Sequence, residues 1–280
     1  MRLEYLAISA LLVGFGTVQA HAQYATQDFT NLLLSNRSGD CTDYAGVYSA
    51  SVEDITRQRR FNSKIEISAD SQRCAITTNG IPNHDFNGPT ANFANDVREL
   101  PGTFRIPRKP KKTGSQTALS QRSYDAILLN GVPVDLLSAG CYRPSGRRAD
   151  KNGNVLAGCR ETNPWLLDPP SYDKYFGVDL HNAHAQPDGR YHYHSNPNAL
   201  FLDHDLDKQS PMIGFAADGF PIYGTIFKDE TAKLDRRSLD MNSKPQRDLL
   251  RLQGLVALQT GHTSTTTSSR VPAIWISATV

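Results

Sequence analysis

A mainly β protein is predicted, a sandwich or distorted barrel of short strands with long loops, stapled by disulfides. Three features predict it. Aromatic and β-branched residues fall in short runs broken by Gly, Pro and Asn, turn dipeptides such as Asn-Gly and Asp-Gly punctuate those runs, and the four cysteines are even in number. The 280-residue chain carries a formal net charge of +2. So near-neutral a balance offers no argument for nucleic acid as a partner.

Arg2 precedes an apolar stretch at residues 5–18, and Ala20-His21-Ala22 then supplies the small-x-small pattern that signal peptidases cut after. A signal peptide is therefore expected at residues 1–22, cleaved near Ala22, with an exported product in the periplasm or outside the cell. The apolar run is too short for a spanning helix, and no later segment approaches the roughly 20 apolar residues that one needs. No transmembrane segment is expected. In an oxidising compartment Cys41, Cys74, Cys141 and Cys159 read as two disulfides. Order along the chain favours Cys41 with Cys74 and Cys141 with Cys159, although four cysteines allow three pairings. No C-x-x-C spacing points to zinc or redox use.

Residues 23–40 are polar except for Leu32-Leu33-Leu34 and read as an N-terminal arm with one short helix. Strands follow at residues 46–50, 63–67 and 74–78, the second by its alternation of Ile65 and Ile67 with Lys64 and Glu66. A small meander clamped by the first disulfide is expected there. Asn79-Gly80-Ile81-Pro82 stops the third strand and presents His84 on a loop. Residues 105–113 alternate prolines with basic residues and read as a solvated extended linker rather than an anion-binding arm. An apolar strand at 124–129 runs into Asn130-Gly131-Val132-Pro133 and repeats the earlier strand exit. Asp150, Asn152 and Asn154 alternate in the next polar excursion, but the glycine and distal glutamate of a calcium loop are out of register.

Four of the eight histidines fall between positions 181 and 194. Asp188-Gly189 is a tight-turn dipeptide, and Tyr191-His192-Tyr193-His194 has strand formers at alternate places. Side chains two apart on a strand share a face, so His192 and His194 point the same way with Cα atoms roughly 6.5 to 7 Å apart. Their imidazoles can converge on one ion, and imidazole suits zinc, copper, iron or nickel. His184 is the best third ligand, because a short turn can fold it back beside the strand, and His84 or His181 could supply a fourth. Asp188, Asp179, Asp85 and Asn182 are candidates for holding the tautomers in place. The competing interpretation is a hydrogen-bonded polar layer with no ion. His204, within Asp203-His204-Asp205, reads as part of a solvated loop. Pro211 to Gly224 reads as a hairpin whose Asp218 is either a turn former or a carboxylate ligand. No G-x-S-x-G, phosphate-binding glycine loop or H-E-x-x-H is present.

Together, Asn79-Gly80-Ile81-Pro82-Asn83-His84, Asn130-Gly131-Val132-Pro133, Asn182-Ala183-His184, the Asp188-Gly189 turn with Tyr191-His192-Tyr193-His194, and Asp218-Gly219-Phe220-Pro221-Ile222-Tyr223-Gly224 resemble the YHYH-domain family. The resemblance spans residues 74–227. It implies an exported, mainly bacterial domain and carries no assigned reaction. Its pattern maps onto His84, His184, His192, His194 and Asp218, while His181 departs from it. Members continue to a second Asp-Gly-x-Tyr-His-Tyr-like segment, and here Gln259-Thr260-Gly261-His262 and a threonine run stand instead. Codons for that run, read two bases on, can spell such a segment, so a shift of reading frame before Gln259 is expected, with the helix-like residues 249–258 an artefact.

The sequence is therefore read as a signal peptide at 1–22, an arm at 23–40, a YHYH domain at 41–230 and a frameshifted or disordered tail at 231–280. The expected function is transition-metal binding, copper, zinc or iron, through His84, His184, His192 and His194. A small-molecule substrate or a place in the cell envelope goes with it. The alternative is a non-catalytic envelope module that binds polysaccharide or a protein partner, to be recognised by a solvent-facing aromatic row away from the histidines.

Overall fold

The computed structural model describes residues 24–112, 117–167, 169, 176–202, 209–228, 234–236 and 275–277. The expected signal peptide, His204 and the expected frame shift before Gln259 all lie outside them. Two open sheets form the body. The first contains β1 (Thr26–Asp28), β2 (Gly46–Asp54), β3 (Arg59–Ala69), β4 (Arg73–Thr78) and β5 (Gly102–Pro107) in sequential order. All its pairs are antiparallel except β1 with β2. The arm therefore enters the sheet as an edge strand, and among its described residues there is no helix. Extended Thr26-Gln27-Asp28 finds ladder partners on β2, and beyond it the Leu34 N–H donates to the Leu200 carbonyl at 2.8 Å.

β3 shows how the sheet was written. Phe61, Ser63, Ile65 and Ile67 are buried, and each residue between them is exposed, the period of two that a half-buried strand demands. Cys41 lies in a 3-10 turn at Cys41–Tyr44 capped by Asp40 and is bonded to Cys74 of β4; Cys141 is bonded to Cys159. Both pairings follow chain order, as expected.

Further along lie β6 (Ala126–Leu128), β7 (Pro133–Val134), β8 (Cys141–Tyr142), β9 (Asn154–Val155), β10 (Trp165–Leu167), β11 (Ala183–Ala185), β12 (Tyr191–Tyr193), β13 (Met212–Ala216) and β14 (Pro221–Tyr223). A second sheet has the order β11-β12-β7-β6-β13-β14. One continuous core joins Ile65, Ile67 and Ile76 of the first sheet to Ile127, Leu128, Tyr191, Tyr193 and Phe215 of the second. That makes the body a sandwich, and neither sheet closes into a barrel. β8, β9 and β10 form a smaller sheet with a separate core of Leu137, Cys141, Val155 and Leu166. β15 (Ile226–Lys228) pairs with β16 (Leu234–Arg236), and β17 (Trp275–Ser277) pairs with β10.

The two Asn-Gly-x-Pro turns are matching strand exits, as the repeat suggests. Gly80 and Gly131 both take positive φ, +79° and +75°, which a side chain resists. At Gly131 a Cβ would also lie 2.5 Å from Thr78 Oγ1, so the second turn packs directly on the end of β4. In each turn the asparagine side chain braces backbone: Asn79 Oδ1 accepts from the Lys64 N–H at 3.0 Å, and Asn130 Oδ1 from the Val132 N–H at 3.3 Å.

The Cys41–Cys74 bond spans 33 residues, and closing a loop of that size removes about 3–4 kcal/mol of chain entropy from the unfolded state. Replacing both cysteines by Ser is expected to lower unfolding stability by about that amount, measured by urea denaturation. A loss below about 1 kcal/mol would mean that the meander is held without its staple.

Candidate metal centre

The centre is built on the β11–β12 hairpin. Asp188 and Gly189 make its turn: the Asp188 carboxylate accepts from the Arg190 N–H at 3.0 Å, and Gly189 has φ +95°. Asp188 thus shapes the turn instead of bracing an imidazole. The antiparallel register sets His184 directly opposite His192. His194 follows β12 and donates its backbone N–H to the Asn182 carbonyl at 2.9 Å. Alternation along Tyr-His-Tyr-His then turns His192 and His194 to one face and both tyrosines to the other.

On the histidine face three rings converge. His194 Nε2 lies 2.9 Å from His192 Nε2 and 3.0 Å from His184 Nε2, and one ligand atom from each ring falls within 4.8 Å of the others. Two of the remaining ring nitrogens are tied back to main chain. His192 Nδ1 contacts the Arg190 carbonyl at 3.1 Å and His184 Nδ1 the Phe176 carbonyl. A carbonyl can only accept, so in these two rings Nδ1 carries the proton, and their Nε2 lone pairs point inward at His194 Nε2. Burial pushes the His192 pKa down to about 3, with the charge of His184 acting in the same direction, and burial lowers His184 and His194 as well. All three rings are neutral at physiological pH.

The structure does not bring His84 to this group. Its ring lies behind β12, where Nε2 accepts from the Tyr193 hydroxyl at 2.6 Å and Nδ1 donates to the Asp85 carbonyl at 2.8 Å. Both nitrogens are thereby engaged. His181 is beside it, with ring centroids 4.3 Å apart. The reason is again the strand period: His84 meets the tyrosine face, one strand thickness away from the Nε2 cluster. Asp218 is exposed in the β13–β14 turn and accepts from the Phe220 N–H at 3.5 Å, the turn-forming role. Asp85 accepts from the Glu53 N–H at 2.8 Å, and Asn182 donates to the Asn196 carbonyl at 2.8 Å.

The chain matches the family model described as YHYH protein over residues 103–248. This protein belongs to the YHYH family. No curated protein and no solved structure matches the chain. The YHYH match holds all three converging histidines, whereas His84 and most of the first sheet precede it.

Asp179 braces the YHYH hairpin from behind. Its Oδ1 accepts from the N–H groups of His181 and Ala183, at 2.9 and 3.2 Å, and its Oδ2 accepts from the Tyr191 hydroxyl at 2.8 Å. Burial raises its pKa against the opposing pull of His181.

Sequence reasoning missed Asp125 and Asp135. They stand opposite each other one step beyond the Ala126↔Val134 pair, and Gln186 donates to Asp135 at 3.2 Å. Burial pushes Asp125 up to about 6 and, with the charge of Asp125 added, Asp135 up to about 7. Each is a single acid flanking an apolar run, and only strand pairing makes them neighbours.

His84 is also pushed down to about 3, by burial first and by His181 second. Titrating near 6.5 when unfolded, it binds more protons in the unfolded state between those values, so its contribution to stability is present above pH 6.5 and is lost as pH falls. Asp125 and Asp135 act with the opposite sign between 3.8 and their raised values. The metal-free protein is therefore best compared with a His84→Gln variant by urea denaturation from about pH 6.5 to about pH 4.5. Wild type should lose stability more steeply, by about 1.4 kcal/mol per pH unit, and parallel slopes would contradict a neutral buried His84.

Proposed function

We propose that this YHYH protein is exported and binds one transition-metal ion, copper, zinc or iron, at Nε2 of His184, His192 and His194. The observation that carries this reading is the meeting of three Nε2 atoms, with the His184 and His192 rings anchored at Nδ1. The Nε2 lone pairs of His192 and His184 face His194 Nε2 at 2.9 and 3.0 Å, a gathering of acceptor atoms that a cation among them would satisfy. With bonds of about 2.0–2.1 Å in a tetrahedral set, nitrogens would stand about 3.3 Å apart, so a small opening of the cluster accommodates an ion. The Nδ1–H to carbonyl pattern is the usual outer support of metal-bound imidazole.

Three neutral ligands leave a coordination position for water or an exogenous group. A bound ion would supply either a water activated for attack or one-electron redox chemistry there. His84 and Asp179 support the hairpin from the tyrosine side. Export is supported by the two disulfides, which persist in oxidising compartments, and among the described residues no helix is long and apolar enough to cross a membrane.

The test is metal content by mass spectrometry on untagged protein from the exported fraction. Near-stoichiometric copper, zinc or iron is expected in wild type and in His84→Gln, and its loss in a His192→Ala, His194→Ala double variant. Added ion at about 100 times its Kd should also raise the unfolding free energy of wild type by about 2.7 kcal/mol. A folded wild type that holds no metal and takes up none would overturn the proposal, leaving the histidines as a polar layer. Metal lost equally in His84→Gln would overturn the three-ligand set.

A further inference from the structure

The smaller sheet has one face in its own core, and its other face carries two exposed aromatic residues. Cys141 of β8 and Leu166 of β10 are cross-strand partners buried in that core. One step along each strand, Trp165 and Tyr142 therefore stand opposite each other on the outer face, 45% and 38% exposed. Side chains directly opposite in an antiparallel pair have Cβ atoms about 4.5–5.5 Å apart, so the two side chains leave the sheet from adjoining points. Tyr142 rests on Gly153, where a Cβ would come within 2.7 Å of its ring. The smallest residue at that point makes room for the ring, which leans toward the β9 side.

The segment that leaves Tyr142 is strongly basic. Arg143, Arg147, Arg148, Lys151 and Arg160 are all exposed, and none of them enters the ion pairs found among the described residues. The single acid within it, Asp150, is occupied by its own turn, accepting from the N–H groups of Asn152 and Asn154 at 2.8 Å each. The Cys141–Cys159 bond ties the two ends of the segment together. A hairpin held by its own disulfide thus carries Tyr142 and a group of exposed cations, with Trp165 on the adjoining strand.

We infer that this face binds an acidic polysaccharide, a uronate-bearing chain whose sugar rings stack on Trp165 and Tyr142 while its carboxylates pair with the neighbouring arginines. The apolar C–H face of a pyranose matches an exposed aromatic ring, an amphipathic surface of the kind tryptophan and tyrosine provide at interfaces. Guanidinium groups match carboxylates in planar, bidentate fashion. An apolar peptide would leave the cations without counter-charge. Single-stranded nucleic acid would use stacking and cations as well, but a formal net charge of +2 over the whole chain lacks the broad basic field that such binding draws on. This site is separate from the histidine cluster, which belongs to the main sandwich.

The experiment is affinity electrophoresis of the full-length protein through gels containing polygalacturonate, neutral dextran or a single-stranded oligonucleotide. Polygalacturonate should retard wild type and quench its tryptophan fluorescence, with dextran giving no retardation. The double variant Trp165→Ala, Tyr142→Ala should bind at least 10-fold more weakly, and Arg143→Gln with Arg147→Gln several-fold more weakly. Trp165→Phe should keep most of the affinity, and His192→Ala with His194→Ala all of it, which separates this outcome from that of the metal test. All the platform substitutions are at exposed positions, and near-ultraviolet circular dichroism checks that each variant is folded. No retardation by polygalacturonate, retardation unchanged in the aromatic double variant, equal retardation by dextran, or stronger retention by the oligonucleotide would each overturn the inference.

Discussion

A buried tyrosine hydroxyl has to find a hydrogen-bond partner, and in this protein that requirement holds the centre together. Tyr193 is fully buried; its hydroxyl donates to His84 Nε2 and accepts from Asn130 Nδ2 at 3.0 Å. His84 and Asn130 come from the two Asn-Gly-x-Pro strand exits. One hydroxyl therefore joins both exits to the middle of β12, and Tyr191 makes the parallel attachment to Asp179. Leaving such a group unpaired costs about 1–3 kcal/mol, so slipping β12 by one residue would strand both hydroxyls and turn the tyrosines into the buried histidine side. The register that presents His192 and His194 is thus secured from the opposite face of the same strand.

The electrostatic character of the centre follows from where that strand lies. Burial removes the solvation that a charged imidazole needs, and the carbonyls at Nδ1 choose the tautomer. The outcome is a set of neutral imidazoles with no carboxylate among them. Asp125 and Asp135 stand on adjoining strands, and the same desolvation pushes their pKa values up. Cationic and anionic forms are disfavoured together across this part of the second sheet, so a bound cation would be its dominant local charge.

Much of the first sheet was legible because Ile65 and Ile67 alternate with charged residues, and a period of two has one structural meaning. The disulfides followed from an even cysteine count and chain order. His184, His192 and His194 were legible for a related reason: two share a strand face, and a tight turn returns the third. The fate of His84 was not, because a loop residue carries no period and its direction depends on how the sheets stack. Reading residues 23–40 as an arm with a helix missed the ladder partners that β2 offers to Thr26-Gln27-Asp28, which no local pattern announces.

The sequence by itself determined the β class, the positions of the turns, the shared face of His192 and His194 and the membership of the YHYH family, all of which depend on residues near one another in the chain. Tertiary structure alone decided that His84 serves Tyr193 and stays out of the Nε2 cluster, that Asp125 meets Asp135, and that Trp165 is set across from Tyr142 in the strand register. Each of these is a cross-strand or cross-sheet neighbour relation. Register is set by which residues must be buried together, and that is a property of the packed core, which no local stretch of sequence contains.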